Sequence, residues 1–276
     1  MLRPFMDRVR LLLSRCDAFG EYLGTLSPEA WSHPSACTEW TVADVVAHLA
    51  GGIRGSTESM DRGRRGESGP PPPPPAAGGE SPSARIAREA IHLRQELGGR
   101  VRAYYLESLP PVRALVGAFR PEDEGKTAMH IRRGPMPMGE FLNQRLAEVE
   151  LHAWDVRSRL APGARLDPAA AEVLAEWLGF WLPFIFHPGE QLPRPIRYRV
   201  EINGRALHDA LVDGLTAQVG APAGPTADVL LHADPETYVL MAMGRLPFDE
   251  ARQAGRLQVQ GNPETARAFT RWFWPT

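Results

Sequence analysis

The chain is poor in the features that mark disulfide frameworks, membrane spans and secretion. Among its 276 residues only Cys16 and Cys37 are cysteines, too few for a disulfide framework and without the spacing of a metal-binding cysteine motif. No apolar run approaches the roughly 18 residues of a membrane span, and the N-terminus lacks the basic, apolar and small-residue order of a signal peptide. We therefore expect a cytoplasmic protein with reduced thiols and no membrane partner.

Excess charge of either sign is lacking too. The formal net charge is -2, and Lys126 is the only lysine, so arginine carries almost all of the basic charge. This near-balance offers no electrostatic footprint for a polyanion and predicts no nucleic-acid partner. Hydrophobic residues make up 43% of the chain and charged residues 23%, as in soluble globular proteins, and the length suffices for two domains with real cores.

Helical periodicity dominates the first two thirds of the chain. Apolar residues recur at helical spacing over 4–23, which predicts a first helix. A second helix follows Thr41, which with Asp44 has the pattern of a capping box. Within that helix His48 shares a face with apolar neighbours, so we expect its imidazole to point into a helical bundle.

The rest of this part of the chain is less regular. The run 63–82 is rich in proline and glycine and predicts an exposed, semi-rigid connector. A third helix is expected over 83–106, interrupted near Gly98 and Gly99. Further predictions are a short helix that opens at Pro110 and runs to Phe119, a loop over 121–136, a bundle helix from Met138, and a helix over 167–186 with Asp167 as its N-cap.

From Arg197 onward the pattern changes to that of a small α+β domain. Residues 198–202 alternate in character, and Asn203-Gly204 is a strong hairpin signal. Further strands and helices are expected in alternation, namely a strand over 229–232, a helix from Asp234 to about Gly244, a strand over 257–259 and a last helix over 263–273.

Three side chains in well-separated motifs predict a metal site. Glu148 and His152 are four residues apart, so a helix places them on the same face. His48 from a neighbouring helix would supply a third ligand. Two imidazoles and a carboxylate with an open fourth position are typical of catalytic zinc, although ferrous iron or nickel also suits this set. The alternative is that His48 is a hydrogen-bonded core residue.

The motifs around these residues resemble the metal-binding domain of mycothiol-dependent maleylpyruvate isomerases, a branch of the DinB-like superfamily of four-helix bundles. The residues after about 195 are similar to the sterol-carrier-like α+β domain that follows the bundle in those proteins. The resemblance implies an α+β protein with a bundle over 1–190 and a smaller domain over 191–276. It is carried by Trp31, Cys37, Trp40-Thr41-Val42, His48, Arg145, Glu148 and His152-Ala153-Trp154-Asp155.

The same resemblance implies a function. It predicts zinc or another divalent metal at His48, Glu148 and His152, with mycothiol as a thiol cosubstrate that attacks a small electrophile. The enzyme would then be an S-transferase or an isomerase, working as a monomer or a homodimer. The partners predicted are the thiol and a small-molecule substrate alone.

Other residues are candidates for supporting roles. Asp155, three residues after His152, could orient an imidazole or a water molecule, or form a surface salt bridge instead. His130 and Arg132 are catalytic candidates at the mouth of the bundle, with Arg132 or Arg133 able to hold a substrate carboxylate. The alternative places them as solvated loop residues. Cys37 is a candidate functional thiol, against the alternative of an inert reduced cysteine.

Three rival functions stay open from the sequence. A metal-dependent hydrolase would use the open metal position to activate water and would need no thiol. A non-catalytic binding protein would hold a lipid or another small molecule in its second domain, near Leu240 and Met243. A purely structural metal would make His48 necessary for folding.

Overall fold

The computed structural model describes residues 2–67, 81–161 and 163–275. Its internal contacts define two compact units, one formed by Arg3–Leu166 and the other mainly by Asp167–Thr276. The first unit is helical and the second combines helices with a sheet, which confirms the predicted α+β class. The division by contacts falls ahead of the boundary expected between residues 190 and 191, and that domain boundary stays a prediction.

The first unit is a bundle of long helices. Helix α1 packs against α4 and α5, and α2 packs against α3, α4 and α5. The apolar stripe of α1 repeats every three or four residues and is buried along its length, which stabilises the packed helix by about 1.5 to 3 kcal/mol for each large side chain. The helices are α1 (Phe5–Leu23), α2 (Val42–Arg64), α3 (Pro82–Leu97), α4 (Val101–Gly117) and α5 (Met138–Leu160).

The predicted capping box at the start of α2 is confirmed. The Thr41 hydroxyl accepts a hydrogen bond from the Asp44 backbone N–H, and the Asp44 carboxylate accepts one from the Thr41 N–H at 2.9 Å. Such a cap contributes about 1 kcal/mol to helix stability. The other Asp44 oxygen accepts from Arg94 Nε at 2.8 Å, which ties the first turn of α2 to α3. The cap thereby fixes the helix that carries His48.

Of two predictions made for α3 and α4, one is confirmed and the other is wrong. The interruption near Gly98 and Gly99 is confirmed, since a 3-10 turn at Gly98–Arg100 separates α3 from α4. The helix expected to open at Pro110 is wrong, because Pro110 and Pro111 lie inside α4. Both prolines are exposed, so water can satisfy the carbonyl groups that the missing N–H donors leave unpaired.

The loop expected over 121–136 is also wrong, because this segment contains a 3-10 helix and a hairpin. The 3-10 helix is Pro121–Gly125, and the hairpin pairs β1 (Thr127–His130) with β2 (Gly134–Pro137). Ser59 of α2 holds the hairpin, since its hydroxyl donates to the Met129 carbonyl at 2.7 Å and accepts from the Met129 N–H. The strands are too short to show a period in the sequence, and this helix contact fixes them.

The second unit is a mixed sheet with helices. The strand order is β5-β4-β3-β6-β7, with β3 and β6 parallel and the other neighbours antiparallel. Helix α6 packs against α7. The strands are β3 (Ile196–Ile202), β4 (Arg205–Val212), β5 (Ala217–Gly220), β6 (Val229–Ala233) and β7 (Leu257–Gly261). The helices are α6 (Pro168–Trp181), α7 (Pro235–Ala242), α8 (Phe248–Gln253), α9 (Pro263–Arg267) and α10 (Phe269–Trp272).

Local sequence signals explain several boundaries of this unit. Asn203 and Gly204 have φ angles of 52° and 75°, as the predicted tight hairpin turn between β3 and β4 requires. Asp167 caps α6 as expected, and Asp234, where a helix was expected to start, caps α7; each carboxylate accepts from a backbone N–H three residues on. Strand β5 and helix α8 were not predicted, and the single helix expected at the end is the pair α9 and α10.

Two further predictions concern the connector between α2 and α3 and membrane spans. The connector predicted over 63–82 falls largely on residues 68–80, which lie outside the described residues, so it stays a prediction. Across the three described ranges, no helix combines the length and the apolar character that a membrane crossing requires.

Candidate metal centre

Helix α5 carries the acidic and imidazole groups of the site on one face. Glu148, His152 and Asp155 follow one another at spacings of four and three residues, so each lies one turn above the last. His48 comes from α2, which packs beside α5. The bundle therefore brings together residues that are a hundred positions apart in the chain.

The side chains of His48, Glu148 and His152 converge on one point. Each offers one ligand atom, and these atoms all lie within 4.8 Å of one another. Glu148 Oε2 is 3.3 Å from His48 Nε2 and 3.6 Å from His152 Nε2. One carboxylate oxygen is thus shared by two imidazole nitrogens.

This spacing fits a zinc-sized ion. Nitrogen and oxygen ligands sit about 2.0 to 2.2 Å from zinc, so two ligands of a tetrahedral site lie roughly 3.4 Å apart. The distances from Glu148 Oε2 to the two imidazoles, 3.3 and 3.6 Å, bracket that value. The donor types, two imidazoles and a carboxylate, are those of open metal sites.

The charges around His48, Glu148 and His152 favour the binding of a cation. Burial alone would raise the pKa of Glu148, but hydrogen bonds with His152 and His48 and the charge of Arg145 hold that pKa well below its usual value. Burial would lower the pKa of His152, but Asp155, Cys37 and Glu148 together raise it well above the ordinary value. Burial dominates at His48, whose pKa is lowered despite Glu148. Two carboxylates flanking His152 thus create a site that attracts a cation.

Asp155 is buried and orients His152. It is 0% exposed, and its Oδ2 accepts a hydrogen bond from His152 Nδ1 at 2.9 Å. The alternative of a surface salt bridge is therefore wrong, because the position is in the interior. With Nδ1 engaged by Asp155, the other ring nitrogen, Nε2, faces Glu148 Oε2 at 3.6 Å and is the ring atom left to bind a metal.

The loop before α2 also reaches this group. The Ala36 backbone N–H donates to the Asp155 carbonyl at 2.9 Å, which holds the loop against α5. Cys37 Sγ donates to Asp155 Oδ2 at 3.0 Å and lies 3.6 Å from His152 Nδ1. The Trp40 ring is buried against both imidazoles, with centroid distances of 5.0 Å to His48 and 6.1 Å to His152. Cys37 and Trp40 therefore enclose the outer side of the imidazoles.

His130 is buried rather than solvated. It ends strand β1, is 2% exposed, and its Nδ1 accepts hydrogen bonds from the Arg132 and Arg133 backbone N–H groups at 3.1 Å. Burial, reinforced by the charge of Arg145, lowers its pKa to about 3, so the ring is neutral at neutral pH. With Nδ1 accepting, Nε2 carries the proton. This arrangement makes His130 a hydrogen-bond donor rather than a general base.

A cavity of about 400 Å³ adjoins two of the three converging side chains, His48 and Glu148. Its wall includes His48, Glu148, His130 and Arg132, so the structure brings two of the predicted catalytic residues to the same space as two predicted ligands. Much of the remaining wall is apolar or glycine, namely Ala47, Gly51, Gly52, Gly55, Ile86, Ala90, Leu93, Met129, Ile131 and Phe141.

Gln144 and Arg145 belong to this site although only Arg145 appeared among the motif residues, and neither was predicted to act. Gln144 Nε2 donates to Glu148 Oε1 at 2.9 Å, and Gln144 Oε1 accepts from Arg145 Nε at 2.6 Å. Arg145 also lies 4.0 Å from Glu148 Oε1. Their positions four and three residues before Glu148 place them on its helix face, which is the signal that could have identified them.

Comparison with known protein families finds one match for each of the two parts of the chain. The family model of the mycothiol maleylpyruvate isomerase N-terminal domain matches residues 12–157, and that of the SCP-2 sterol transfer family matches residues 195–273. No curated protein sequence matches the chain.

Two solved structures share the fold over most of their length. A mycothiol-dependent maleylpyruvate isomerase is 17% identical, with a TM-score of 0.61 over 88% of this chain and 90% of that one. A histidine-to-alanine mutant of such an enzyme is 16% identical, with a TM-score of 0.62 over 94% and 93%. At these identities the likeness shows the fold alone. Because the first family model spans more than half of the sequence, the chain belongs to the mycothiol maleylpyruvate isomerase family.

Proposed function

We propose that this protein is a metal-dependent thiol enzyme, an S-transferase or isomerase that uses a low-molecular-weight thiol such as mycothiol on a small electrophile. The observation that carries the proposal is the convergence of His48, Glu148 and His152 beside a cavity of about 400 Å³. A carboxylate shared by two imidazoles next to open space has the donors of an open metal site and room for a substrate.

His48, Glu148 and His152 would hold the metal, which we propose to be zinc. When bound, such an ion acts as a Lewis acid and keeps a coordinated thiol deprotonated at neutral pH. The surrounding residues orient the ligand side chains. Asp155 holds His152 through Nδ1 and thereby aims Nε2 into the site, and Gln144 holds the second oxygen of Glu148.

The cavity residues would bind the electrophile. His130 can donate a hydrogen bond from Nε2 because its Nδ1 is already an acceptor. Arg132 lies on the cavity wall, whereas Arg133 does not line it, which supports Arg132 as the arginine that would hold a substrate anion. In this proposal Asp155 is a positioning residue, and His130 and Arg132 touch the substrate.

The family supports thiol chemistry as the activity to test first. The structural neighbours are described as mycothiol-dependent maleylpyruvate isomerases, and extending a thiol-dependent reaction to this chain is part of our proposal. Since reduced thiols persist in the cytosol, we place the reaction there.

Elemental analysis of the purified protein, with circular dichroism on the same samples, tests the metal. We expect about one equivalent of zinc in the wild type and a loss of metal without a loss of helicity in His48→Ala and His152→Ala. His92→Ala is the matched control, because His92 is an exposed residue of α3 that pairs with Glu96 and lies outside the site. A folded wild type that stays metal-free after growth in zinc-supplemented medium would contradict the proposal.

The reaction itself needs a second assay on the same proteins. We expect the zinc-loaded wild type to consume a thiol and an electrophile together, and the two metal-site variants to lose that turnover. Turnover of esters or amides without thiol would identify a hydrolase instead. Variants that unfold when the metal is lost would identify a structural metal.

A further inference from the structure

Helix α2 presents an open face to the cavity beside His48 and Glu148. Ala47, Gly51 and Gly55 lie on successive turns of this helix and line the cavity. A Cβ atom added to Gly55 would meet nothing within 4 Å, so packing does not require glycine there. Glycine inside a helix costs about 0.5 to 1 kcal/mol relative to alanine. Gly55 therefore lowers the stability of α2, and its lack of a side chain keeps the cavity open.

The other walls of the cavity are largely apolar. Ile86, Ala90 and Leu93 of α3 line it, as does Phe141 of α5. Ile131, at the tip of the β1–β2 hairpin, also lines it while remaining 64% exposed. An exposed isoleucine at a cavity wall is a contact surface for an apolar group. Most of a ligand in this space would therefore contact hydrocarbon.

Within the part of the chain that the structure describes, one positive charge on the cavity wall, that of Arg132, has no side-chain partner. Arg145 is engaged by Gln144 and Glu148 and lies over the Phe141 ring, with 5.6 Å from its guanidinium carbon to the ring centroid. Over the three described ranges, the Arg132 guanidinium forms no ion pair and no hydrogen bond. Besides Glu148, the wall carries one more carboxylate, the exposed Glu89, which pairs with Arg85 at 3.9 Å.

We infer that this cavity takes a ligand with an apolar body and a single anionic group, such as an unsaturated monocarboxylate. Its carboxylate pairs with Arg132, and its apolar body lies along the glycine face of α2. With the open metal position taken by the thiol, a second anionic group would find no second unpaired cation among the described wall residues and would face Glu89. The inference rests on the proposed function, because it takes this ligand to be the electrophilic substrate.

Calorimetric titration of the zinc-loaded protein, with 2-mercaptoethanol at a saturating concentration to occupy the open metal position, tests the ligand class with three probes. trans-Cinnamate has an apolar ring and one carboxylate, cinnamamide has the same ring without the charge, and fumarate has two carboxylates without the ring. We expect cinnamate to bind at least about tenfold more tightly than either of the others, since a charge-assisted arginine–carboxylate pair is worth roughly that factor or more. Equal binding of cinnamate and cinnamamide, or no binding of cinnamate at millimolar concentration, would overturn the inference.

Two variants locate the ligand. Arg132→Gln should remove the preference for cinnamate over cinnamamide, whereas Arg252→Gln, an exposed arginine of α8 in the other unit, should keep it. Gly55→Leu should fill the cavity and weaken cinnamate binding by at least about tenfold. Gly117→Leu is its matched control, because Gly117 lies at the exposed end of α4 and a Cβ there also meets nothing within 4 Å. Unchanged binding in Gly55→Leu would place the ligand elsewhere and overturn the inference.

Metal content and thiol turnover on the same preparations separate the two claims. Protein that holds zinc and turns over a thiol with a small neutral electrophile, but does not bind cinnamate, would overturn the ligand class alone. Folded protein that binds cinnamate through Arg132 but never holds metal would overturn the proposed function and support the binding site.

Discussion

The two units of this protein bury charged groups in different ways. In the second unit Arg199 and Asp209 form a bidentate ion pair. Arg199 Nε donates to Asp209 Oδ1 at 2.7 Å, and Nη2 donates to Oδ2 at 2.8 Å. The same arginine donates to the carbonyls of Ala223 and Gly224, and the same carboxylate accepts from the Ala223 N–H. Each group satisfies the other, so the arrangement is closed.

The bundle also holds a closed pair, the buried Glu150 with Arg15 at 2.8 Å, but at the candidate metal centre it leaves three half-buried groups aimed at a common point. Glu148 is shared by His48 and His152, and the cavity begins beside it. The buried histidine of the second unit shows the contrast, because His208 Nε2 meets a single partner, Tyr238 Oη, at 2.5 Å. The same residue types are thus structural where they pair off and are candidates for chemistry where they converge beside open space.

Neutralising the shared carboxylate of Glu148 should have the largest effect on the candidate metal centre. Glu148→Gln keeps the shape of the side chain and removes the charge between the two imidazoles. We expect metal affinity to fall by well over the 10- to 100-fold that loss of an outer hydrogen-bond partner costs, since a ligand itself is lost. The melting temperature of the metal-free protein should stay close to that of wild type. Glu96→Gln, on the exposed face of α3, is the control, and a Glu148→Gln protein that keeps its zinc would refute the comparison.

The same isosteric change in the second unit should damage folding instead. Asp209→Asn leaves the Arg199 guanidinium buried without its counter-charge, which costs roughly 3 to 5 kcal/mol. Denaturant unfolding would measure the loss, and the zinc content of the folded fraction should not change. The control is Asp249→Asn, because Asp249 pairs with Arg267 at the surface, where such pairs contribute about 1 kcal/mol or less. Equal stability of the two variants would show that the buried pair is not needed for folding.

Acid should weaken the second unit through His208. Burial lowers the pKa of His208 from its ordinary 6.5 to about 4, so the folded state keeps the ring neutral while the unfolded state takes up a proton. The stability that this group contributes is present above pH 6.5 and is lost as the pH falls towards 4, by at most roughly 3 kcal/mol.

Urea unfolding of wild type and His208→Gln across this pH range isolates that contribution from those of other groups. The difference in the free energy of unfolding between the two proteins should shrink as the pH falls from 6.5 to 4. A difference that stays constant would mean that His208 does not carry the effect.

The smallest of these effects should come from the carboxylate that orients His152. Asp155→Asn keeps a hydrogen-bond acceptor near Nδ1 but removes the charge, and we expect zinc affinity to fall by about 10- to 100-fold. Competition with a chelator measures this. A structural role alone would lower stability and leave the affinity of the folded protein unchanged, so both are measured on the same sample. Asp167→Asn is the control, because it makes the same change of side chain at the half-buried cap of α6, in the other unit.

Much of the fold follows from short signals in the sequence, and the failures share one cause. Thr41 with Asp44, and Asn203 with Gly204, fix backbone geometry within a few residues, so their structures match the predictions. The β1–β2 hairpin and Pro110 depend on tertiary contacts or solvent instead. Ser59 of α2 holds the hairpin, and exposure lets α4 continue through its prolines. Neither influence can be read from neighbouring residues.

The candidate site also combines residues that local spacing predicts with residues whose positions depend on tertiary packing. Spacing alone places Glu148 and His152 on one face, and the resemblance of the motifs adds His48, whose approach depends on how α2 packs against α5. The burial of His130 was not predictable, because it results from the hairpin that the sequence did not reveal. The open face of α2 was visible as three glycines within five residues, Gly51, Gly52 and Gly55, inside a predicted helix.

The position of Trp40 gives the protein a built-in optical reporter. Its indole lies 5.0 Å from the His48 ring and 6.1 Å from the His152 ring. At such distances an ion with a partly filled d shell, such as cobalt or nickel, quenches indole emission, whereas zinc, with its full shell, does not. Emission that is lost on adding cobalt and regained on adding zinc in the wild type, but does not change in Trp40→Phe, would allow metal exchange to be followed in real time without any added label.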